Sequence, residues 1–195
     1  MIKKIKKNYF SKGFTLTELL VSITIILIVI GAAYSGYFLS QKAYREGEAA
    51  AELSQNGRVI LERITREIRQ AKDIPTELSE EEPAEEISPL DGIIFEDGHI
   101  EDPYHYIHYF KDNNYLKREV IAYYFSDNPG VWVPFGAVPP GGQTLETETL
   151  DDPAIVGEYL TGLKFWNSGA INVFLTLERD DKIVSLRTKI FGRNL

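Results

Sequence analysis

The stretch Lys12-Gly13-Phe14-Thr15-Leu16-Thr17-Glu18-Leu19-Leu20-Val21 places one carboxylate at the front of a long apolar segment. Residues 14–39, a run of 26, carry no charged side chain except Glu18. A helix of this length extends about 39 Å at 1.5 Å per residue, more than the bilayer's hydrocarbon thickness of about 30 Å. The sequence therefore predicts a transmembrane helix that crosses the bilayer with some tilt.

The segment that precedes this helix is basic. It contains five lysines and no acid: Lys3, Lys4, Lys6, Lys7 and Lys12. Positive charge that flanks a first transmembrane helix stays in the cytoplasm. We therefore expect a single-pass protein of the cytoplasmic membrane, with a cytoplasmic N-terminus and an extracytoplasmic globular domain.

Two ordinary interpretations of the apolar segment do not account for all of its features. A secretory signal peptide has an apolar core of about 7–15 residues followed by a small-residue cleavage site. Here the apolar run is longer, and its glycine junction, Gly13-Phe14, precedes it. A plain membrane anchor leaves Glu18 unexplained, because an acid within the bilayer costs about 2.5–3.5 kcal/mol on insertion scales.

Residues 12–21 resemble the processing signal of the type IV pilin and pseudopilin superfamily. The resemblance implies that a membrane prepilin peptidase cleaves between Gly13 and Phe14 and N-methylates Phe14, so that residues 1–13 are a leader peptide. It also implies that Glu18 attracts the cationic amine of a neighbouring subunit and sets the register of assembly. Such a pair attracts more strongly in a low dielectric than in water. The alternative is an interfacial Glu18 that extends towards the headgroups.

Composition limits the function more loosely. A chain of 195 residues with 44% hydrophobic content has room for one membrane helix and one small domain. It contains no cysteine, which excludes disulfides, thiolate catalysis and cysteine-based zinc sites. Loss of residues 1–13 leaves 16 basic against 29 acidic side chains, so the net charge changes from −8 to −13. We expect no direct nucleic acid binding, because phosphate contacts need clustered Lys and Arg.

An apolar stripe continues at helical spacing beyond residue 39. Its members recur every three or four residues: Leu53, Gly57, Ile60, Ile64, Ile68 and Ala71. Asp73-Ile74-Pro75 supplies a stop signal. We predict one helix over residues 14–72, in which residues 40–75 form the amphipathic spine of the globular domain. Glycines within it, among them Gly47 and Gly57, indicate flexibility or close packing.

An acidic segment follows the helix. Residues 76–92 contain seven acids, two prolines and no base. Such a run predicts a solvated loop, because it has little apolar surface to bury. A Ca²⁺ site is the alternative, since clustered carboxylates suit that ion, although EF-hand spacing is absent.

Residues 93–195 have the pattern of an antiparallel β-sheet. Apolar and aromatic runs separated by turn residues predict strands at 93–95, 104–110, 115–125, 160–166, 171–179 and 182–191. Ile171, Val173, Leu175 and Leu177 share one strand face, which should pack against the helical stripe. The predicted fold class is α+β, with a long N-terminal helix packed against an antiparallel sheet, as in pilins.

Residues 126–154 are rich in proline and glycine and predict a long loop. Two aromatic residues within it, Trp132 and Phe135, either anchor the loop to the sheet or form a contact surface. Both interpretations remain open from the sequence.

Two further stretches narrow the resemblance. Residues 55–71 and 188–194 resemble the helix end and closing strand of J-class minor pseudopilins of type II secretion and of W-class minor pilins. Family members often carry a proline in the membrane helix, whereas this chain has Ser35-Gly36 and no proline over residues 14–74. The resemblance implies a minor subunit near a filament tip. Its implied partners are other pilins or pseudopilins, an inner-membrane assembly platform and membrane lipid.

No motif in the chain indicates catalysis. His105 and His108 are three apart, which on a strand directs them to opposite faces and makes a metal pair unfavourable, and His99 stands alone beside a turn. We predict a protein that is not an enzyme and has no cofactor or metal site. Two function classes remain: a filament-assembling pseudopilin, and a membrane-anchored extracytoplasmic binding or sensor domain. Cleavage before the apolar helix would distinguish them.

Overall fold

The computed structural model describes residues 13–83, 92–98 and 104–192. The segment before Gly13, which the sequence analysis interprets as part of a leader, the second part of the acidic segment and His99 lie outside this range. Within it the chain forms one long helix, α1 (Leu16–Gln70), followed by β-strands. The strands are β1 (Gly92–Glu96), β2 (His105–Asp112), β3 (Tyr115–Phe125), β4 (Trp132–Val133), β5 (Leu145–Gly157), β6 (Leu160–Asn167), β7 (Ile171–Arg179) and β8 (Lys182–Ile190). The predicted α+β, pilin-like class is confirmed.

Helix α1 is two residues shorter at each end than predicted. It ends at Gln70 because the next backbone groups turn to strand β1: the Lys72 amide donates to the Glu96 carbonyl, at 3.1 Å, and the Glu96 amide donates to the Asp73 carbonyl, at 2.8 Å. Pro75 follows directly and has no amide hydrogen to continue a helix.

The chain divides into two compact units, Met1–Glu46 and Gly47–Leu195. The first contains the apolar part of α1, whose large side chains from Leu16 to Leu39 are exposed. Among the described residues, α1 is the one helix that is long and apolar enough to cross a membrane, judged by length and composition.

The second unit contains two antiparallel sheets where the sequence predicted one. A five-stranded sheet has the order β1-β2-β3-β4, and β5 pairs along the other edge of β3. Strands β6, β7 and β8 form a separate three-stranded meander, as predicted. Both sheets pack against α1, since residues of each share one buried cluster with the helix.

The core of this unit forms where the apolar stripe of α1 meets both sheets. The helix contributes Leu53, Ile60, Ile64 and Ile68, each fully buried. The predicted face of β7 packs in the same cluster through Val173, Leu175 and Leu177, together with Phe95 and Tyr109 of the larger sheet. Both the stripe and the strand face are therefore confirmed. Fully burying each such side chain contributes about 1.5–3 kcal/mol.

The prediction of a continuous loop over residues 126–154 was wrong. Strand β4 interrupts it, and its last ten residues belong to the 13-residue strand β5. The prediction failed because Pro153 was interpreted as a loop residue. Asp151 pairs with Val120 and Ala154 with Arg118, so Pro153 lies in a bulge of an edge strand. An edge strand with a bulge tolerates a residue that lacks an amide hydrogen.

Trp132 and Phe135 anchor the remaining loop to the sheet. The Phe135 amide donates to the Tyr106 hydroxyl at 2.9 Å, and its ring meets that of Tyr123 edge-on at 5.3 Å. Trp132 contacts Tyr124 at a ring separation of 6.3 Å. The contacts of Phe135 cover the face of the larger sheet that carries Tyr106 and Tyr123, whereas Trp132 and Tyr124 lie on the opposite face.

The first part of the predicted solvated loop is held against both sheets. The Thr76 hydroxyl donates to the Ile94 carbonyl, and the Asn167 amide donates to the Ser79 carbonyl. Glu82 accepts a 2.8 Å hydrogen bond from Arg187 and lies 3.8 Å from the Lys164 ammonium. Residues 76–83 thus have no regular secondary structure, as predicted, but they are docked through polar contacts that composition does not reveal.

Gly57 allows α1 to approach the smaller sheet closely. A Cβ at this position would collide with Leu186 Cδ1 and lie 2.8 Å from Leu177 Cδ1. Of the two interpretations of this glycine, close packing is therefore the one that the structure supports.

We expect Gly57→Val to lower the free energy of unfolding by about 3 kcal/mol, because the added atoms overpack a closed part of the core. Chemical denaturation of the full chain in detergent, followed by the tryptophan signal, measures the loss. Gly47→Val is the matched control: no atom lies within 4 Å of a Cβ there, so the change should be about 0.5 kcal/mol or less. Equal effects at the two positions would contradict the packing role of Gly57.

Candidate functional site

The residues singled out by the sequence lie together at the start of α1. Gly13, Phe14 and Thr15 are non-helical, and the helix begins at Leu16. Phe14 is 83% exposed. Glu18 occupies the first helical turn, where four backbone amides lack helical partners and a negative charge is favourable.

Thr15 and Glu18 form a capping box. The Thr15 hydroxyl accepts a hydrogen bond from the Glu18 amide at 3.3 Å. In return, Glu18 Oε2 accepts from the Thr15 amide at 3.1 Å and from the Thr15 hydroxyl at 3.0 Å. This reciprocal arrangement satisfies amides that the helix itself leaves unpaired.

Sequence reasoning missed this role of Glu18, although the signature Thr-x-x-Glu is present at residues 15–18. The carboxylate has hydrogen-bond partners within its own chain. A plain membrane anchor would therefore also give Glu18 a role, as a helix cap.

The identities of Gly13 and Phe14 are not dictated by packing. No atom lies within 4 Å of a Cβ built on Gly13, and the Phe14 ring is largely exposed. Close packing therefore does not require a glycine at position 13.

The hydroxyl groups of the apolar helix are satisfied within the helix. Ser22, Thr24 and Ser35 each donate to the carbonyl four residues earlier, at 2.7, 2.9 and 2.9 Å. A bilayer offers no water to such groups, so internal bonding is what a membrane environment demands. These contacts make the polar residues compatible with a transmembrane location.

The histidines of strand β2 have different surroundings. His108 Nδ1 lies 2.8 Å from Glu119 Oε1, whereas the ring of His105 meets Trp132 edge-on. Within the described ranges, no group of three or more His, Asp and Glu side chains is placed to hold a metal ion.

A family model described as the prokaryotic N-terminal methylation motif matches residues 10–34. The match covers the Gly13-Phe14 junction, the capping box and the first part of the apolar helix. Comparison with curated proteins found no match, and comparison with solved structures found none.

The matched motif, at the front of a helix that can cross a membrane, indicates a type IV pilin-like protein that a prepilin peptidase processes. The motif implies assembly with other pilins and suggests a membrane-anchored subunit. The globular unit beyond residue 46 lies outside the matched range.

Proposed function

We propose that this chain is a minor pilin or pseudopilin that is cleaved between Gly13 and Phe14, methylated at Phe14 and assembled with other pilins near a filament tip. The filament serves secretion, pilus formation or DNA uptake. The observation that carries the proposal is the methylation motif at residues 10–34, which coincides with an exposed junction before the apolar helix.

The proposed organisation follows the chain. Residues 1–13 are the leader, residues 14–39 the membrane and filament-core helix, and residues 40–75 the spine of the globular domain. The acidic segment, residues 76–92, and the β-rich part, residues 93–195, complete the extracytoplasmic domain. Five lysines before residue 14 keep the leader in the cytoplasm, where the peptidase and the assembly platform meet it.

A minor rather than filament-building role is supported by the membrane helix. Helix α1 is uninterrupted from Leu16 to Gln70 and contains no proline at which it could melt inside a filament. The similarity of residues 55–71 to J-class pseudopilins and W-class minor pilins points in the same direction.

The mature protein should begin at a methylated Phe14. Intact-mass analysis of protein purified from its host measures this, and a chain that retains Met1 in assembled material would favour the anchored binding or sensor domain instead.

Gly13→Ala should reduce cleavage strongly without unfolding the protein, because no atom lies within 4 Å of the added methyl group. Gly31→Ala, equally uncrowded but within the helix, is the matched control and should be cleaved normally.

The protein should also be a rare component of assembled filaments. Quantitative mass spectrometry of sheared filaments compares its copy number with that of the most abundant pilin. We expect a ratio far below one. A ratio near one would show that this chain builds the filament and is not a minor subunit.

A further inference from the structure

The globular unit carries two exposed flanks of opposite charge. The basic flank consists of Arg58, Arg66 and Arg69 of α1 beside strand β8, around a groove of about 540 Å³. Leu61 and Leu186 make its floor partly apolar, and its lining also includes one acid, Glu62, and Arg187, which is paired with Glu82. In the part of the chain that the structure describes, none of the three arginines makes an ion pair. These are unpaired cations on a protein whose net charge is strongly negative.

The acidic flank is the exposed strand β5. It presents four acids: Glu146, Glu148, Asp151 and Asp152. Glu146 accepts a hydrogen bond from Tyr124, whereas the other three acids are exposed and have no cation beside them among the described residues.

Both flanks end in a free strand edge. Among the described strands, β8 pairs only with β7, and β5 pairs only with β3. An edge strand leaves alternate backbone amides and carbonyls unpaired, and these can join a strand of another chain.

The two edges lie on opposite sides of the buried helical stripe. Strand β8 adjoins Leu61 and Thr65, whereas the end of β5 adjoins Asn56 and Val59. At 100° per residue, Asn56 and Leu61 are about 140° apart around α1. The end of β5 and strand β8 therefore flank α1 on different sides, and the four acids lie earlier on β5, beside residues 120–124 of β3.

Charge decides how two copies can meet. Under the proposed function every copy enters the membrane in the same direction, so copies meet side by side with parallel helices. Contact between two basic flanks, or between two acidic flanks, brings like charges together and is unfavourable. Contact between a basic flank and an acidic flank is complementary in charge and supplies two free strand edges.

We propose that the acidic β5 edge of one copy docks against the basic α1–β8 flank of a second copy. The contact is heterologous, so each copy keeps one flank free for a further subunit. Two copies suffice for one contact, which makes it compatible with a subunit of low abundance. The proposal rests on the proposed function only for the common direction of the helices.

Crosslinking in membranes tests the contact directly, because the natural chain has no cysteine. Gln70→Cys marks the basic flank and Thr149→Cys marks the acidic flank, both at exposed positions. Full-length chains with one change each are produced together and treated with a flexible bis-maleimide. We expect a dimer from the mixed pair and only background from either variant alone. A dimer from one variant alone, or none from the mixture, would overturn the proposal.

Charge reversal tests the attraction. Adding Arg66→Glu and Arg69→Glu to the Gln70→Cys chain should lower the mixed dimer about tenfold, equivalent to about 1.4 kcal/mol. Adding Glu148→Lys and Asp151→Lys to the other chain should restore it. Glu77→Lys with Glu80→Lys makes the same charge change at exposed positions elsewhere and should restore nothing. If the yield of the mixed dimer does not change with these charge reversals, charge-directed docking is refuted.

The same samples separate this proposal from the proposed function. Intact mass reports cleavage at Gly13, and membrane fractionation reports insertion. Processed, inserted chains that give no mixed dimer overturn the contact alone. Chains that remain unprocessed overturn the proposed function instead.

Discussion

Glu18→Gln and Glu18→Val should both remove most of the protein from assembled filaments while leaving membrane insertion intact. The two variants lose the charge that the resemblance assigns to pairing with a neighbouring amine. They differ in the capping box, since glutamine can still accept a hydrogen bond from the Thr15 amide and valine cannot. Removing an intramembrane charge makes insertion easier by up to about 3 kcal/mol. Crosslinking to filament partners, with membrane fractionation alongside, measures both effects.

Thr15→Ala is the matched control for this experiment. It removes the hydroxyl half of the capping box, at a cost of about 1 kcal/mol to the first turn of α1, but keeps the carboxylate. Assembly should then be close to normal. If Thr15→Ala fails to assemble while Glu18→Gln assembles well, Glu18 acts as a helix cap and not as a charge partner.

Glu67→Leu should destabilise the globular unit by about 3 kcal/mol, because Glu67 is the polar link between α1 and the larger sheet. Its Oε2 atom accepts from Arg118 Nε at 3.0 Å and from the Tyr109 hydroxyl at 2.8 Å. Burial, and next the Glu67 charge, raise the pKa of Tyr109, so this hydroxyl stays a donor at neutral pH. Without Glu67, a mostly buried guanidinium and a buried hydroxyl lose their acceptor.

Urea denaturation of the full chain in detergent measures this loss. Glu62→Leu, an identical change at an exposed position of the same helix, should alter stability by about 0.5 kcal/mol or less. Adding Arg118→Met to Glu67→Leu should recover part of the loss, since an apolar pair replaces an unpaired buried cation. If Glu62→Leu and Glu67→Leu have equal effects, the link contributes nothing specific.

Local pattern was sufficient to predict most of the fold. Helix α1 and strand β7 were predicted closely, because each has a buried face that shows in the local sequence. For α1 this is the apolar stripe from Leu53 to Ala71, and for β7 it is the apolar alternation in residues 171–179. The candidate processing site could be predicted for a similar reason, because Gly13, Phe14 and Glu18 lie within six residues of one another.

The features that escaped prediction depend on distant contacts. The bulge at Pro153 lies in the pairing of β5 with β3, and no local pattern contains that pairing. The division into two sheets follows from how both pack on one helix. The docking of Glu82 needs Arg187, more than a hundred residues away. The Thr15–Glu18 capping box was local and was overlooked.

The docked segment after the helix has a consequence for cooperativity. Residues 76–83 bond to strand β1 in the larger sheet through Thr76 and to strand β6 in the smaller sheet through Ser79. Helix α1 already shares its buried stripe between the same two sheets. Separating either sheet therefore breaks the helix packing and this connection together and exposes the core of the other sheet. We therefore expect the two sheets to unfold together in a single transition.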